Sequence, residues 1–313
     1  MMRVEEQVES YISFKRGLGV AMVSDASALR QLERFAAAEG HAGPIDVGLA
    51  LRWARSGEHA RSYEVKRYEL ARRVCDYCAA LGGDVPRLPP GLMGRLEGRV
   101  EPYIYTDEEV SLLMRAASRM YDPEGRMRPL AYEVAVGLMR STGMRPSEVL
   151  SLEDGDVDLG AGEIAVRRAK NGRERLVPLG SGAAGAIESY ARKRDSLRTG
   201  RKCPRLVVVG DSPVSVASLE HAFVELRCVL LGRGEVWERR PPRAYDLRHT
   251  FAVRTLLRWR SEGADVNAML PVLATYMGHA DISETYWYLT GCPELMSVAS
   301  SAFEALARGP RRW

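Results

Sequence analysis

No run of apolar residues in this 313-residue chain is long enough to cross a bilayer as a helix. No charged, apolar and small-residue leader of the secretory kind opens it. Together these absences predict a cytoplasmic protein. Cysteine is scarce, and its count of 5 is odd, which excludes a fully paired disulfide framework. Cys75 and Cys78 form C-D-Y-C, but no second pair follows at zinc-ribbon spacing. They are expected to pack on one side of a helix as small apolar residues. There is no internal repeat, no low-complexity segment and no cluster of metal-ligating residues. Charge of one sign is also missing: 45 basic residues against 41 acidic ones leave a net +4. That balance permits a nucleic-acid partner without requiring one, because a basic surface can hide in a near-neutral total.

What is present suffices for two domains with sizeable cores. Residues 1–84 read as a helical domain. Ser24 or Asp25 can cap a helix carrying Leu29, Leu32, Phe35 and Ala36, which Gly40 ends. A second helix runs over about 45–55, and a third runs from near Ser62 to Gly82-Gly83. Residues 85–102 hold Pro86, Pro89, Pro90 and Pro102 and read as a linker. Thr106 with Glu109 makes a capping box that opens a second domain, 103–313. This domain is mainly α with a small antiparallel β-sheet. LAYEVAVGLMRST is a buried helix ending at Gly143. EIAVRR and RLVPL are strands around the Asn171-Gly172 turn, and Leu206–Gly210 is a candidate strand. The basic stretch ARKRDSLRTGRKCPR is a solvated helix end and loop. Its Lys193, Arg194, Arg201 and Lys202 are either backbone-phosphate contacts or a solvated face. The last residues form an amphipathic helix with a basic tail.

Two arginines, a histidine, a tyrosine and a lysine of the second domain are the candidates for chemistry. Arg145 follows Gly143 at a helix start, with Pro146 in the first turn. Arg248 lies early in another helix, flanked by Leu247, Thr250 and Phe251, so its guanidinium is expected to point into a cleft. Two guanidinium groups can clamp the non-bridging oxygens of a phosphodiester and stabilise the charge of a pentacoordinate transition state. His279 follows the helix-ending Gly278, and Asp281 with Glu284 caps the next helix. That helix carries Tyr286 and Tyr288, which stand about 200° apart, so only one faces the cleft. Either phenol is a candidate nucleophile. Lys170 on the hairpin turn is either a solvated turn lysine or a proton donor to a leaving 5′ oxygen.

In this order the segments resemble the tyrosine recombinases, or phage-type integrases. T-G-M-R-P-S-E-V-L-S-L is similar to the family's first arginine box, with Arg145 at the arginine and Glu148 at the acidic residue that buttresses it. K-N-G-R-E-R-L-V-P-L resembles the family's β-hairpin and puts Lys170 at its lysine. D-L-R-H-T-F-A looks like the second arginine box, giving Arg248 followed by His249. G-H-A-D-I-S-E-T-Y-W-Y puts His279 at the third box. The family's nucleophile usually stands nine positions on, which selects Tyr288 over Tyr286. The likeness covers about 103–295.

The resemblance implies a helical core-binding domain and a mixed α/β catalytic domain that clamp double-stranded DNA. It implies cleavage through a 3′-phosphotyrosyl intermediate, with no cofactor, metal or ATP. The expected assembly is a homo-tetramer on paired sites, or a mixed one with sister recombinases. The C-terminal helix would dock on a neighbour. The short stretch before the core-binding domain favours a compact recombinase acting on short inverted repeats.

In one place the sequence departs from the family pattern. Where the family's second box begins with histidine, this chain has Tyr245. Imidazole titrates near neutrality and a free phenol only near roughly pH 10. Tyr245 can hydrogen-bond a phosphate oxygen but is a poor general base. This is the feature that keeps open a DNA-binding accessory subunit with weak or no cleavage. A type IB topoisomerase-like enzyme is the other alternative. Gly180, Gly182 and Gly185 spell G-x-G-x-x-G, but the preceding strand reads as a hairpin arm and not as the first strand of a βαβ unit. Asp154, Asp156 and Asp158 alternate as in a calcium loop, but Leu159 and Ala165 stand where glycine and a bidentate glutamate are needed. Read as a two-metal nuclease site, the three acids are more simply a polar strand edge.

Overall fold

The structure, a computed structural model, describes residues 2–94, 101–167, 174–197, 203–231, 237, 240–279, 281–290 and 295. It divides into two compact units, Met1–Val100 and Glu101–Trp313.

The first unit is four helices around one core: α1 Val4–Gly17, α2 Val23–Ala38, α3 Val47–Arg55 and α4 Arg61–Ala80. Each buries one stripe at helical spacing, such as Ala26, Leu29, Leu32 and Ala36 of α2. Helix α1 buries Val4, Val8, Tyr11 and Ile12, and with them Gln7, whose Oε1 accepts from the Ile45 amide at 2.9 Å. Asp46 caps α3 by accepting from Leu49 N at 2.7 Å. Helix α2 starts at Val23, slightly before the expected Ser24 or Asp25 cap, with Met22 left-handed ahead of it. Cys75 and Cys78 are buried side by side on α4, and burial pushes the Cys75 thiol up to about 12. They are inert packing residues, as expected. Leu88 and Met93, within the segment read as a linker, are buried in the same core.

In the second unit, α5 Asp107–Ala117 opens with the expected capping box. Thr106 Oγ1 accepts from Glu109 N at 3.1 Å, and Thr106 N donates to Glu109 Oε2 at 2.8 Å. Helix α6, Arg128–Thr142, is apolar nearly all round and runs through the core, packed by α5, by α8 Ser181–Leu197 and by α10 Asp246–Ser261. The short α7, Pro146–Ser151, follows it. Strands β1 Val157–Asp158, β2 Glu163–Val166 and β3 Arg175–Pro178 form an antiparallel sheet in that order, with Ile164 opposite Val177. The Asn171-Gly172 turn, and Lys170 with it, lie outside the described residues. The Leu206–Gly210 segment yields only β4, Val208–Val209, paired with β5, Ser212–Pro213. Helices α9 Val216–Arg227, α11 Val266–Met277 and α12 Ser283–Thr290 are the other α-helices among the described residues of this unit. The chain is therefore mainly helical with small antiparallel sheets, as expected.

Gly182 and Gly185 fall in the first turns of α8, behind an antiparallel strand. Arg194 requires a correction. It is neither a phosphate contact nor part of a solvated face. Its side chain is 3% exposed, both Asp154 oxygens accept from it at 2.7 and 2.9 Å, and Asp195 and the Leu206 carbonyl accept from it as well. One of the alternating acids is thus one half of an internal ion pair. Lys193 is exposed on α8. Arg201, Lys202 and the expected C-terminal helix lie outside the described residues. Among the described residues no helix is long and apolar enough to cross a membrane.

Candidate active site

The site begins where α6 ends. Gly143 is left-handed at φ 63°, and a Cβ there would stand 2.4 Å from the Phe251 ring. Only glycine fits this turn, which exposes the Gly143 carbonyl to Arg248 and sends the chain into Arg145. Arg145 is the N-cap of α7, with Pro146 at the first helical position. Its amide donates to Glu148 Oε2 at 2.9 Å, its Nη1 to Oε1 at 2.9 Å and its Nη2 to the Gly278 carbonyl at 3.3 Å.

Glu148 is buried, and a second arginine accounts for its charge. Arg175, from β3, donates through Nη1 to Oε1 at 3.1 Å and through Nη2 to Oε2 at 2.8 Å. Its Nε donates to the Tyr276 carbonyl at 2.9 Å. Burial raises the Glu148 carboxyl. The bonds from Arg175 and the Arg145 amide, with the charges of Arg175 and Arg248, outweigh it and hold the group at about 2. Burial also disfavours the Arg145 charge, and Glu148 and Tyr245 overcome that.

Arg248, on α10, is expected to point its guanidinium into a cleft; it is fully buried. Nη1 donates to the Gly143 carbonyl at 2.8 Å and Nη2 to the Met277 carbonyl at 2.7 Å. Its Nε has no partner among the described residues. Burial lowers its pKa, but a guanidinium stays charged at any ordinary pH. The entry to α10 is fixed by buried Asp246, which accepts from Arg243 N at 2.8 Å and from Arg240 Nη2 at 3.1 Å. Tyr245, the residue just before α10, is half-exposed, with its ring edge-on to His249 at 5.2 Å.

His279 follows Gly278, which ends α11 in the left-handed region and lies against the Arg175 guanidinium. Its Nδ1 is 2.7 Å from Thr285 Oγ1, and its Nε2 is 3.5 Å from the Tyr288 hydroxyl. Asp281 caps the turn into α12, accepting from Ser283 N at 2.7 Å. The two tyrosines separate as helix geometry requires: Tyr288 is 2% exposed and Tyr286 is 47% exposed. The His249 ring lies 5.4 Å from that of Tyr288 on another side. Burial pushes the Tyr288 phenol up to about 12 against the pull of Arg248 and Arg145. Burial, with the nearby arginines, pushes His279 down to about 3 and His249 to about 4. Both imidazoles are therefore neutral at pH 7.

Arg145, Arg248, His279, His249, Tyr245, Glu148 and Tyr288 thus converge at one place. Three guanidinium groups around a single carboxylate leave a local excess of positive charge, suited to an anion. A cavity of about 520 Å³ opens beside it, lined by Arg145, Arg243 and Tyr245 among others. Among the described residues no group of His, Cys, Asp or Glu has metal-site geometry. Sequence reasoning passed over Arg175, Thr285 and Asp246. Their only signals were a charged residue in a strand and short polar residues at helix starts.

The arrangement sets a tyrosine hydroxyl among guanidinium groups. Residues 104–292 match the model of the phage integrase family. A protein of Sinorhizobium fredii (strain NBRC 101917 / NGR234) named as an integrase/recombinase, y4rB, is 31% identical over all of this chain and 99% of its own length. A tyrosine recombinase XerD of Neisseria meningitidis serogroup B (strain MC58) is 31% identical over 60% of this chain and 58% of its own. The chain belongs to the phage integrase family, the tyrosine recombinases. These are DNA strand-transferring enzymes of site-specific recombination that need no metal. Among solved structures, the Tn1549 transposon integrase in complex with transposon right end DNA aligns over 98% of this chain and all of that one, at TM-score 0.66 and 17% identity. The lambda integrase bound to DNA aligns over 84% of this chain and 89% of that one, at TM-score 0.56 and 16% identity. These likenesses show that the fold is shared.

Proposed function

We propose that this chain cuts and rejoins double-stranded DNA with Tyr288 as nucleophile. The phenol attacks the scissile phosphate, a 3′-phosphotyrosyl bond forms and a 5′ hydroxyl is freed. The 5′ hydroxyl of the partner strand then reverses the step. Bond energy stays in the covalent link, so no ATP is needed. Arg145 and Arg248 hold the non-bridging oxygens, and Tyr245 hydrogen-bonds one of them. Lys170 gives the leaving oxygen its proton. Glu148 positions Arg145, and His249 and His279 flank the phenol.

The observation that carries this reading is the burial of Tyr288 beside Arg248 and His279 while Tyr286, two residues away, points to solvent. Residues 1–84 serve as the core-binding domain, 103–313 as the catalytic domain, and 85–102 join them with Leu88 and Met93 packed into the first core. The protein works in the cytoplasm, as a homo-tetramer on paired short inverted repeats or mixed with sister recombinases. The Tn1549 and lambda integrases, which share this fold, are bound to DNA, and that supports a DNA partner.

The test uses a plasmid carrying two copies of DNA from the chain's own genomic flanks. Recombinant circles from wild type, and none from Tyr288→Phe, are expected. Specific binding without exchange would favour the accessory-subunit reading. Relaxation of a plasmid lacking paired sites would favour a topoisomerase.

A further inference from the structure

Thr285 has no part in the scheme above, yet it is fully buried one turn before Tyr288 on the same side of α12. Its Oγ1 lies 2.7 Å from His279 Nδ1, and the Tyr288 hydroxyl lies 3.5 Å from His279 Nε2. One imidazole therefore meets a hydroxyl at each nitrogen, and both hydroxyls come from the same helix. A neutral imidazole has one N–H and one lone pair, so its two sides are coupled. If Nδ1 donates to Thr285, the Nε2 lone pair faces Tyr288. The opposite tautomer would aim an N–H at the phenol oxygen.

The second observation is Tyr245. Where the family's second box has histidine stands Tyr245, a half-exposed phenol and a poor general base at pH 7. The Tyr288 hydroxyl has His279 Nε2 at 3.5 Å as the group able to accept its proton, beside the Arg248 guanidinium, which can only donate to it.

We infer that Thr285 is a positioning residue that holds His279 with its proton on Nδ1, so that Nε2 takes the proton of Tyr288 as the phenol attacks. The inference rests on Tyr288 being the nucleophile. As the Tyr288 O–P bond forms, the phenol O–H bond breaks and its proton passes to Nε2. The imidazolium keeps its Nδ1–H on Thr285. The P–O5′ bond breaks, and the 5′ oxygen takes a proton from a separate acid, the role given above to Lys170. On rejoining, the imidazolium returns its proton to the departing phenolate.

The groups facing His279 are Arg248 and His249 from α10, Arg145 before α7, Arg175 from β3, and Thr285 and Tyr288 from α12. The three arginines disfavour the imidazolium in the free protein. A phosphodiester bound among them, gaining a further negative charge during attack, offsets that. The 3.5 Å contact tightens on DNA binding, as such contacts commonly do in substrate complexes.

The test compares wild type, Thr285→Val and Thr285→Ser as full chains on nicked suicide substrates. Thr285→Val is expected to slow covalent adduct formation about 100-fold, with DNA affinity and melting temperature retained. Thr285→Ser keeps the hydroxyl and is expected within about threefold of wild type. A 5′-bridging phosphorothiolate leaves without needing a proton. Thr285→Val should stay slow on it, which puts the loss on the nucleophile's side. Nitrogen-15 NMR of the DNA-free protein should find the His279 proton on Nδ1. Wild-type cleavage by Thr285→Val, or a wild-type His279 protonated on Nε2, overturns the inference. If Thr285→Val does not fold, the NMR result and Thr285→Ser decide. Absence of any adduct from wild type would instead refute the nucleophile assignment, leaving the tautomer to be read separately.

Discussion

Arg175 meets both carboxylate oxygens of Glu148, at 3.1 and 2.8 Å, across 27 positions of sequence. Glu148 in turn holds Arg145, so a β-strand residue sets the position of an arginine at the centre of the site. Arg175 also reaches the Tyr276 carbonyl and lies against Gly278, just ahead of His279. Arg175→Ala would leave a buried carboxylate short of a partner, which typically costs about 3–5 kcal/mol. Chemical denaturation should show a loss of that size. Arg175→Lys, which cannot form the two-pronged contact, should fall between. A loss under about 1 kcal/mol would mean that solvent reaches Glu148.

Gly143→Ala should be strongly destabilising. The left-handed backbone alone costs about 1 kcal/mol for alanine. The added Cβ would also stand 2.4 Å from the Phe251 ring and displace the carbonyl that accepts from Arg248. Thermal melts should register more than the backbone cost, and a Phe251→Leu background should recover part of it. An equal loss in both backgrounds would show that the ring is not the obstacle.

Acid should destabilise the catalytic unit before its carboxylates titrate. His249 and His279 are held at about 4 and about 3, against 6.5 when unfolded. As pH falls below 6.5 the unfolded chain binds protons that the folded chain refuses, so stability drops from about 6.5 toward 4. Glu148 adds to the loss lower down, as pH falls from 4.5 toward its folded value of about 2. Melting temperature against pH should slope accordingly. His249→Gln should flatten the slope above pH 4, and an unchanged slope would show that His249 is accessible to protons.

Tyr245→His should speed adduct formation near pH 7 and give a rate optimum at lower pH than wild type. The substitution supplies an imidazole where the chain now has a phenol. Matching pH profiles would show that this position does not take part in proton transfer.

Much of this was legible in the sequence because it is local. The Thr106–Glu109 box, the Gly143 and Gly278 helix ends and the 200° between Tyr286 and Tyr288 follow from spacing along one helix. The unread parts are pairings across distance. Arg194 looks like one more cation in a basic run until Asp154, 40 positions away, meets it. Arg175 looks solvent-facing in its strand because its partner lies on α7. Helix α1 carries helical spacing at Val4, Val8, Tyr11 and Ile12, but buried Gln7 breaks its apolar stripe.

Covalent trapping in EDTA tests the central claim most directly. Suicide substrates nicked near the candidate crossover would be mixed with wild type, Tyr288→Phe and Tyr286→Phe and resolved on denaturing gels. The account predicts a protein–DNA adduct from wild type and Tyr286→Phe and none from Tyr288→Phe. An adduct that survives Tyr288→Phe, or specific DNA binding by wild type with no adduct at any pH, would contradict it.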